Sequence, residues 1–369
     1  MGQDGPFRVV RLSGGARERG LAYGRGCRDL IERLVASHYS FYGRFYGAGR
    51  DELLREAGRF IPEIEAYSPE IAEEIRGTAE GAGVRHEEVV MIVAFPEMYY
   101  PKLLGACTAF AVSDAVTASG DVYVGQNEDE ALDPWLEGEC SVLLSIEEEG
   151  APDILTYAYA GIPAMKGLNS EGIALCINAI LCEEAQMGVP SLVVTREVLR
   201  QRTLSDALGA IIRARRANSL NYVIGHRSGE IYDVEAVPSG VDHFYSEGHL
   251  VHSNHIRSDR LGIERDYIVE GLPDTIVRYN RMDKLLRARH GEIDDGALMA
   301  LLRDHVNYPK SICRHAEPGV DPAHTMKTLD SILLVPTRGE AWFARGPPCE
   351  HRFHRYGIDG KIRGSEADA

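Results

Sequence analysis

Residues 105–112 read GACTAFAV, and residues 119–130 read SGDVYVGQNEDE. The first is a short apolar run of strand type. The second is opened by Ser-Gly-Asp and returns as its partner, so the two predict a hairpin. Cys107 then stands at the outer end of a paired strand, deep inside the chain and behind a helix-rich segment. That position suits a nucleophile better than a disulfide.

The texture of the chain changes at this cysteine. Ahead of it, Leu21, Cys27, Leu30, Ile31, Leu34, Val35 and Tyr42 recur at steps of three and four, which predicts an amphipathic helix from Gly15 to about Phe45. Residues 68–83, SPEIAEEIRGTAEGAG, have an N-cap serine, a proline in the first turn, early acids and closing glycines. HEEVVMIVAF, residues 86–95, predicts a short buried helix. Residues 1 to about 100 thus read as mostly helical.

Beyond Cys107, strands are expected over 107–114, 121–128, 141–147, 154–160 and 172–180, with Gly, Pro, Asn and Asp between them. A helical pair follows at about 191–216, with a cap at Thr203–Asp206. Strands resume over 221–227, 230–236, 241–245 and 249–253. Helices at about 274–289 and 294–304 precede a last hairpin, TLDSILLVP with EAWFAR. Hairpin connections and grouped helices predict an α+β protein with largely antiparallel, helix-covered sheets. No internal repeat or low-complexity linker divides residues 1–369, which read as a single domain.

Composition narrows the function classes. The chain has 369 residues, 44% of them apolar, enough for a sizeable core. Its net charge of −16 repels phosphate backbones and anionic lipid, so the expected partner is a small molecule and neither nucleic acid nor membrane. The basic cluster Arg213–Arg216 reads as a solvated helix face. No run approaches the roughly 18 consecutive apolar residues of a membrane helix. The start, MGQDGPFRVV, lacks a basic region followed by an apolar one, so a cytoplasmic protein is expected. Cysteines stand at 27, 107, 140, 176, 182, 313 and 349, with no CxxC spacing, so neither a disulfide framework nor a zinc knuckle is indicated. Most are expected to be small buried hydrophobes.

A set of short motifs carries a resemblance. They are ERGLAYGRG, EIRGTAEGAGV, ACTAF, GQNED, GLNSEGIALCINAI, HSNH, SICRH and ARGPPCEHRF, and their order spans most of the chain. In these the chain resembles the acyl-coenzyme A:6-aminopenicillanic acid acyltransferase family, a cysteine branch of the N-terminal nucleophile hydrolases. The resemblance implies a four-layer αββα fold and a precursor that cuts itself immediately before the catalytic cysteine, here between Ala106 and Cys107. It implies a helical part, 1–106, and a catalytic part, 107–369, held together as a heterodimer, with further homo-oligomerisation left open. It makes Asp129 the acid beside the nucleophile and Asn254 the side-chain oxyanion donor. Arg314 is the expected partner of Asp129, and no cofactor is implied.

Cutting before Cys107 would give one residue both a thiol and a free α-amine. Such an amine has an unperturbed pKa near ~7.7–8.0 and can act as base for its own thiol. Asn178 is a second amide candidate for substrate binding, with a structural amide at a strand end as the competing reading. Two departures from the family pattern stand out. Relatives usually carry glycine where this chain has Ala106, and many carry tryptophan where it has Glu128. That acid either points into the pocket, favouring an amine-bearing substrate, or faces solvent. Two other readings remain: a family member in which Cys107 is inert, and a metal hydrolase built on His252 with His255 or His351 with His354. The strand-and-turn setting of LVHSNHI argues against the first histidine pair.

Overall fold

The computed structural model describes residues 7–99, 105–131, 139–321 and 324–366. The helix expected over 15–45 is broken at Cys27, whose φ of −127° and ψ of 19° are not helical, giving α1 (Ala16–Gly26) and α2 (Arg28–Tyr46). A strand, β1 (Arg8–Ser13), precedes them. Then come α3 (Arg50–Gly58), α4 (Ile61–Tyr67), α5 (Pro69–Ala82), α6 (His86–Val93) and α7 (Phe95–Tyr99).

The glycines of ERGLAYGRG and EIRGTAEGAGV pack α1 against α5 with their backbones touching. A Cβ on Gly20 would lie 2.1 Å from the Glu74 carbonyl oxygen, and one on Gly24 would lie 2.1 Å from that of Thr78. In return, Gly77 and Gly81 face Arg17 and Leu21 at 2.5 and 2.4 Å. Next to this contact Arg19 and Arg196 share Glu74, with nitrogen–oxygen distances of 3.1 Å, and Arg196 also meets Glu148 at 3.1 Å. These buried ions tie the first helices to the rest of the chain.

After Ala106 the strands are β2 (Ala106–Val112), β3 (Tyr123–Ala131), β4 (Ser141–Glu147), β5 (Ile154–Tyr159), β6 (Lys166–Asn169) and β7 (Ile173–Ala179). The helical pair is α8 (Ser191–Leu199) and α9 (Leu204–Arg213), and Thr203 caps α9 by accepting from the Asp206 amide at 3.1 Å. Strands β8 (Leu220–His226), β9 (Ile231–Val237), β10 (Gly240–Tyr245) and β11 (His249–His252) follow. Helices α10 (Tyr267–Gly271), α11 (Asp274–Arg287) and α12 (Asp295–Leu302) lead to β12 (Met326–Val335), β13 (Glu340–Arg345), β14 (His354–Gly357) and β15 (Ile362–Ser365).

Two sheets result, ordered β1-β4-β5-β6-β7-β8-β9-β10 and β11-β2-β3-β12-β13-β14-β15. Among the described residues all the strand pairs are antiparallel except β1 with β4. Alternation along β2 shows how the layers stack. Ala109 and Ala111 join the core between the sheets, while Phe110 and Val112 pack with Met282 and Leu286 of α11 and with Leu298 and Leu302 of α12. Helices α1 and α8 lie on the other sheet, against β1 and β6–β7. The order helix, sheet, sheet, helix is the expected four-layer αββα arrangement.

Four strands escape the sequence reading. β1 sits in a segment read as helical, β6 is four residues long, and β14 and β15 are short and polar, so none offers enough alternation. Arg216 also departs from its solvated reading. It is buried and donates to the carbonyls of Val237, Ile211 and Ala214.

Gly24→Ala or Gly81→Ala is expected to force α1 and α5 apart and lower stability by about 1–3 kcal/mol, as overpacking does. Urea unfolding of each variant measures this. An unchanged midpoint would show that the helix pair can separate without cost.

Candidate active site

Strand register decides what faces Cys107. Across the hairpin Cys107 lies opposite Glu128, and Ala106 opposite Asp129. Side chains of directly paired residues share a face, so Cys107 and Glu128 look between the sheets while Asp129 looks toward α11.

Cys107 lines a pocket enclosing about 690 Å³, the open space at its mouth included. Its walls are mainly apolar and come from both sides of Cys107 in sequence: Phe95 and Pro96 ahead of it, then Met165, Ile177, Leu181, Leu192 and Leu220. Gly105, Glu128 and Glu130 complete the wall beside the thiol. Burial pushes the Cys107 thiol well above its ordinary range, Glu128 adds to the rise, and Lys166 opposes it. The sulfur is therefore a thiol and not a thiolate.

The backbone of Cys107 is held at both ends. Its N–H donates to Asn254 Oδ1 at 2.9 Å, and its carbonyl accepts from Arg278 Nη1. Arg278 Nη2 also donates to Asn254 Oδ1 at 2.9 Å. Two donors converging on that atom fix it as the oxygen, which turns Asn254 Nδ2 to the Ala179 carbonyl at 3.0 Å. Arg278 lies four residues beyond Asp274 on α11 and donates to it through Nε at 2.9 Å. Asp274 also accepts from Arg314, whose Nε lies 3.3 Å from Asp129 Oδ2. Thr328 Oγ1 donates to Asp129 at 2.7 Å. Four buried charges thus alternate from Asp129 to Arg278 and end on Cys107.

The expected pair of Asp129 and Arg314 is present, but the place of Asp129 needs correcting. It stands behind the strand of Cys107 and not beside the thiol, because one step along β3 reverses the face. Burial pushes Asp129 up to about 6, against the pull of Arg314, Arg278 and the Thr328 hydroxyl.

Glu128 is corrected too, since the solvent-facing reading fails. It is buried, accepts from Tyr159 Oη at 2.9 Å and pairs with Lys166, which is fully buried. Lys166 also holds Asp330 at 2.6 Å, and burial pushes Asp330 up to about 7. With its charge met from within, Glu128 offers little to an amine-bearing substrate.

Asn178 lies between Ile177 and Ala179 of the pocket wall, but its side chain turns to Asn221, from which Oδ1 accepts at 3.5 Å. Its Nδ2 has no partner among the described residues. The proposed metal pairs are not assembled. His252 is hydrogen-bonded with Glu235, His255 lies against Thr275, and His354 lies against Ser365. A different group, His305, Cys313, His315 and Cys349, brings its donor atoms within 4.8 Å of one another. Cys349 is exposed, while the other six cysteines are buried.

The sequence reading missed Arg278, Asp274, Lys166 and Glu130. The signal for the first two was their four-residue spacing on one helix face, an ion-pair interval.

The profile of the acyl-coenzyme A:6-aminopenicillanic acid acyl-transferase family matches residues 116–348. The chain belongs to this family. A relative from Emericella nidulans, the acyl-coenzyme A:6-aminopenicillanic-acid-acyltransferase 40 kDa form, is 28% identical over 279 residues, 75% of each protein. Among solved structures, a variant of the conjugated bile acid hydrolase from Clostridium perfringens gives a TM-score of 0.48 at 12% identity, covering 70% of this chain and 97% of that one. Penicillin V acylase from Agrobacterium tumefaciens gives 0.44 at 12% identity, covering 65% and 83%. No helix among the described residues is long and apolar enough to cross a membrane.

Two outcomes are expected from the charge chain. Arg278→Ala leaves Asp274 with one partner fewer and is expected to lower stability by about 3–5 kcal/mol, while Arg278→Lys folds better but still loses its grip on Cys107. Urea unfolding and turnover of both variants separate the two effects. The second outcome concerns pH. Asp129, pushed up to about 6, is charged above that pH and neutral below it, so turnover is expected to fall as pH drops through about 6. Asp129→Asn removes that limb, and rate–pH profiles of the two proteins check it.

Proposed function

We propose that the chain cuts itself between Ala106 and Cys107 and then cleaves or transfers the acyl group of a small amide through a thioester on Cys107. The observation that carries this is the double hold on Cys107. Its nitrogen is bound by Asn254 and its carbonyl by Arg278, while its thiol lines the pocket.

In the cut, Sγ adds to the Ala106 carbonyl carbon and the C–N bond breaks, moving the acyl chain from nitrogen to sulfur. Water then hydrolyses that thioester, leaving a carboxylate on Ala106 and a free amine and thiol on Cys107. One water is consumed and one peptide bond is lost. The new amine inherits the Asn254 contact, and the neighbouring guanidinium of Arg278 disfavours its protonated form, which suits a base.

Turnover then repeats the chemistry on a substrate amide. The Cys107 amine takes the thiol proton and returns it to the leaving amine. Asn254 Nδ2 carries two hydrogens, of which Ala179 occupies one, so the second can serve an oxyanion. The apolar walls favour a hydrophobic acyl group, and water or a positioned amine accepts it. Glu130 lies against Gly105, where a Cβ would stand 2.9 Å from its Oε1, and burial followed by the charge of Glu128 pushes this carboxyl well up. As a neutral acid beside the cut it can donate to the departing amide.

The segment ahead of Cys107 gives a strand to the sheet of the later segment and walls to the pocket, so it stays bound after the cut. The inert-cysteine reading draws on one observation, the buried and protonated thiol of the uncut chain.

Intact-mass analysis with N-terminal sequencing is expected to show two chains, 1–106 and 107–369, in the wild type and one chain in Cys107→Ala. The mature wild type is further expected to label with iodoacetamide first at Cys107. An uncut but fully active protein would overturn the maturation step, and slow labelling with no turnover would favour the inert member.

A further inference from the structure

We infer that His305, Cys313, His315 and Cys349 form a closed tetrahedral site for a divalent zinc-type cation, which locks the backbone on both sides of Arg314. Cys313 Sγ lies 3.5 Å from Cys349 Sγ. His315 Nε2 lies 3.6 Å from Cys313 Sγ, 3.3 Å from Cys349 Sγ and 3.1 Å from His305 Nε2. With Zn–S near 2.3 Å and Zn–N near 2.0–2.1 Å, the edges of a tetrahedron are about 3.8 Å between sulfurs, about 3.6 Å between sulfur and nitrogen and about 3.4 Å between nitrogens. Four of the six edges lie within a few tenths of an ångström of these lengths, and the two from His305 to the sulfurs lie within 4.8 Å.

Hydrogen bonding does not account for this convergence. A neutral imidazole nitrogen offers one proton or one lone pair, yet His315 Nε2 faces three donor atoms at once. A disulfide does not account for it either. The sulfurs are well beyond the 2.03–2.05 Å of a bond, and a disulfide would leave the two imidazoles facing each other without purpose. A cation at the centre satisfies all four. The other ring nitrogen of His315 lies 3.4 Å from Glu350 Oε1, the carboxylate that commonly orients a metal-bound imidazole.

The placement gives the site its role. Cys313 and His315 flank Arg314, whose amide donates to Thr328 Oγ1 at 2.9 Å and whose guanidinium reaches Asp129 and Asp274. Cys349 comes from the turn after β13, so the cation joins two loops on the outer side of the charge chain. With two thiolates and two imidazoles no position is left open for substrate, which makes the site structural. Uptake of the cation by two thiols releases two protons and balances the charge locally. The site stands whether or not the proposed acyl chemistry is correct.

The test is elemental analysis of the full chain purified under reducing conditions, followed by reconstitution with Zn(II) or Co(II) alone. About one zinc per chain is expected, and Co(II) should give the visible bands of a tetrahedral ion together with near-ultraviolet thiolate charge transfer. Cys349→Ser, at an exposed position, should lose the zinc and the charge transfer, and His226→Ala, outside the cluster, should keep both. Removing the cation with a chelator should lower the thermal midpoint of the wild type and leave that of Cys349→Ser unmoved. Zinc near zero after reconstitution would overturn the inference, as would equal zinc in Cys349→Ser or an intact mass showing Cys313 bonded to Cys349 under reductant.

Discussion

The position of Cys107 depends on a buried row of alternating charges, Asp129, Arg314, Asp274 and Arg278. Arg314 faces both acids, Arg278 faces Asp274 and the neutral acceptors around Cys107, and two acids stand against two arginines, so the row carries no net charge and its burial is tolerable. Its last guanidinium is the one that touches Cys107. Because every member is buried, none can be exchanged for water without exposing the next, and the strand bearing Cys107 is fixed by groups on three other elements.

A second set of charges occupies the opposite face of the same strands. Lys166 stands between Glu128 and Asp330, with Tyr159 closing on Glu128. One lysine faces two acids there, and burial first, then the charge of Glu128, keep the Cys107 thiol from ionising. The strand is thus balanced on one face and electron-rich on the other. This asymmetry separates what holds the cysteine in place from what sets the state of its thiol.

The hairpin around Cys107 was legible because its alternation and turn residues lie within a few positions of each other. The place of Cys107 in the paired strand was legible for the same reason. The face of Asp129 was not, since a one-residue step decides it and the register appears only when the strands pair. Arg278 looked like one more surface cation among 40 lysines and arginines, and its target is 171 positions away in sequence. The glycine motifs were visible as patterns, but their reason, two helices in backbone contact, exists only once α1 meets α5. The His and Cys group escaped because only Cys313 and His315 are close in sequence, while His305 and Cys349 join them from separate segments.

The parallel pairing of β1 with β4 gives the amino-terminal segment a lasting part in the sheet. Without it β4 would present a bare row of amide and carbonyl groups along a largely apolar strand, the kind of margin that recruits a neighbouring chain. The segment from Cys107 onward is therefore not a self-sufficient folding unit. A fragment beginning at Cys107 would tend to complete its sheet by borrowing β1 from another molecule, or to aggregate through that margin.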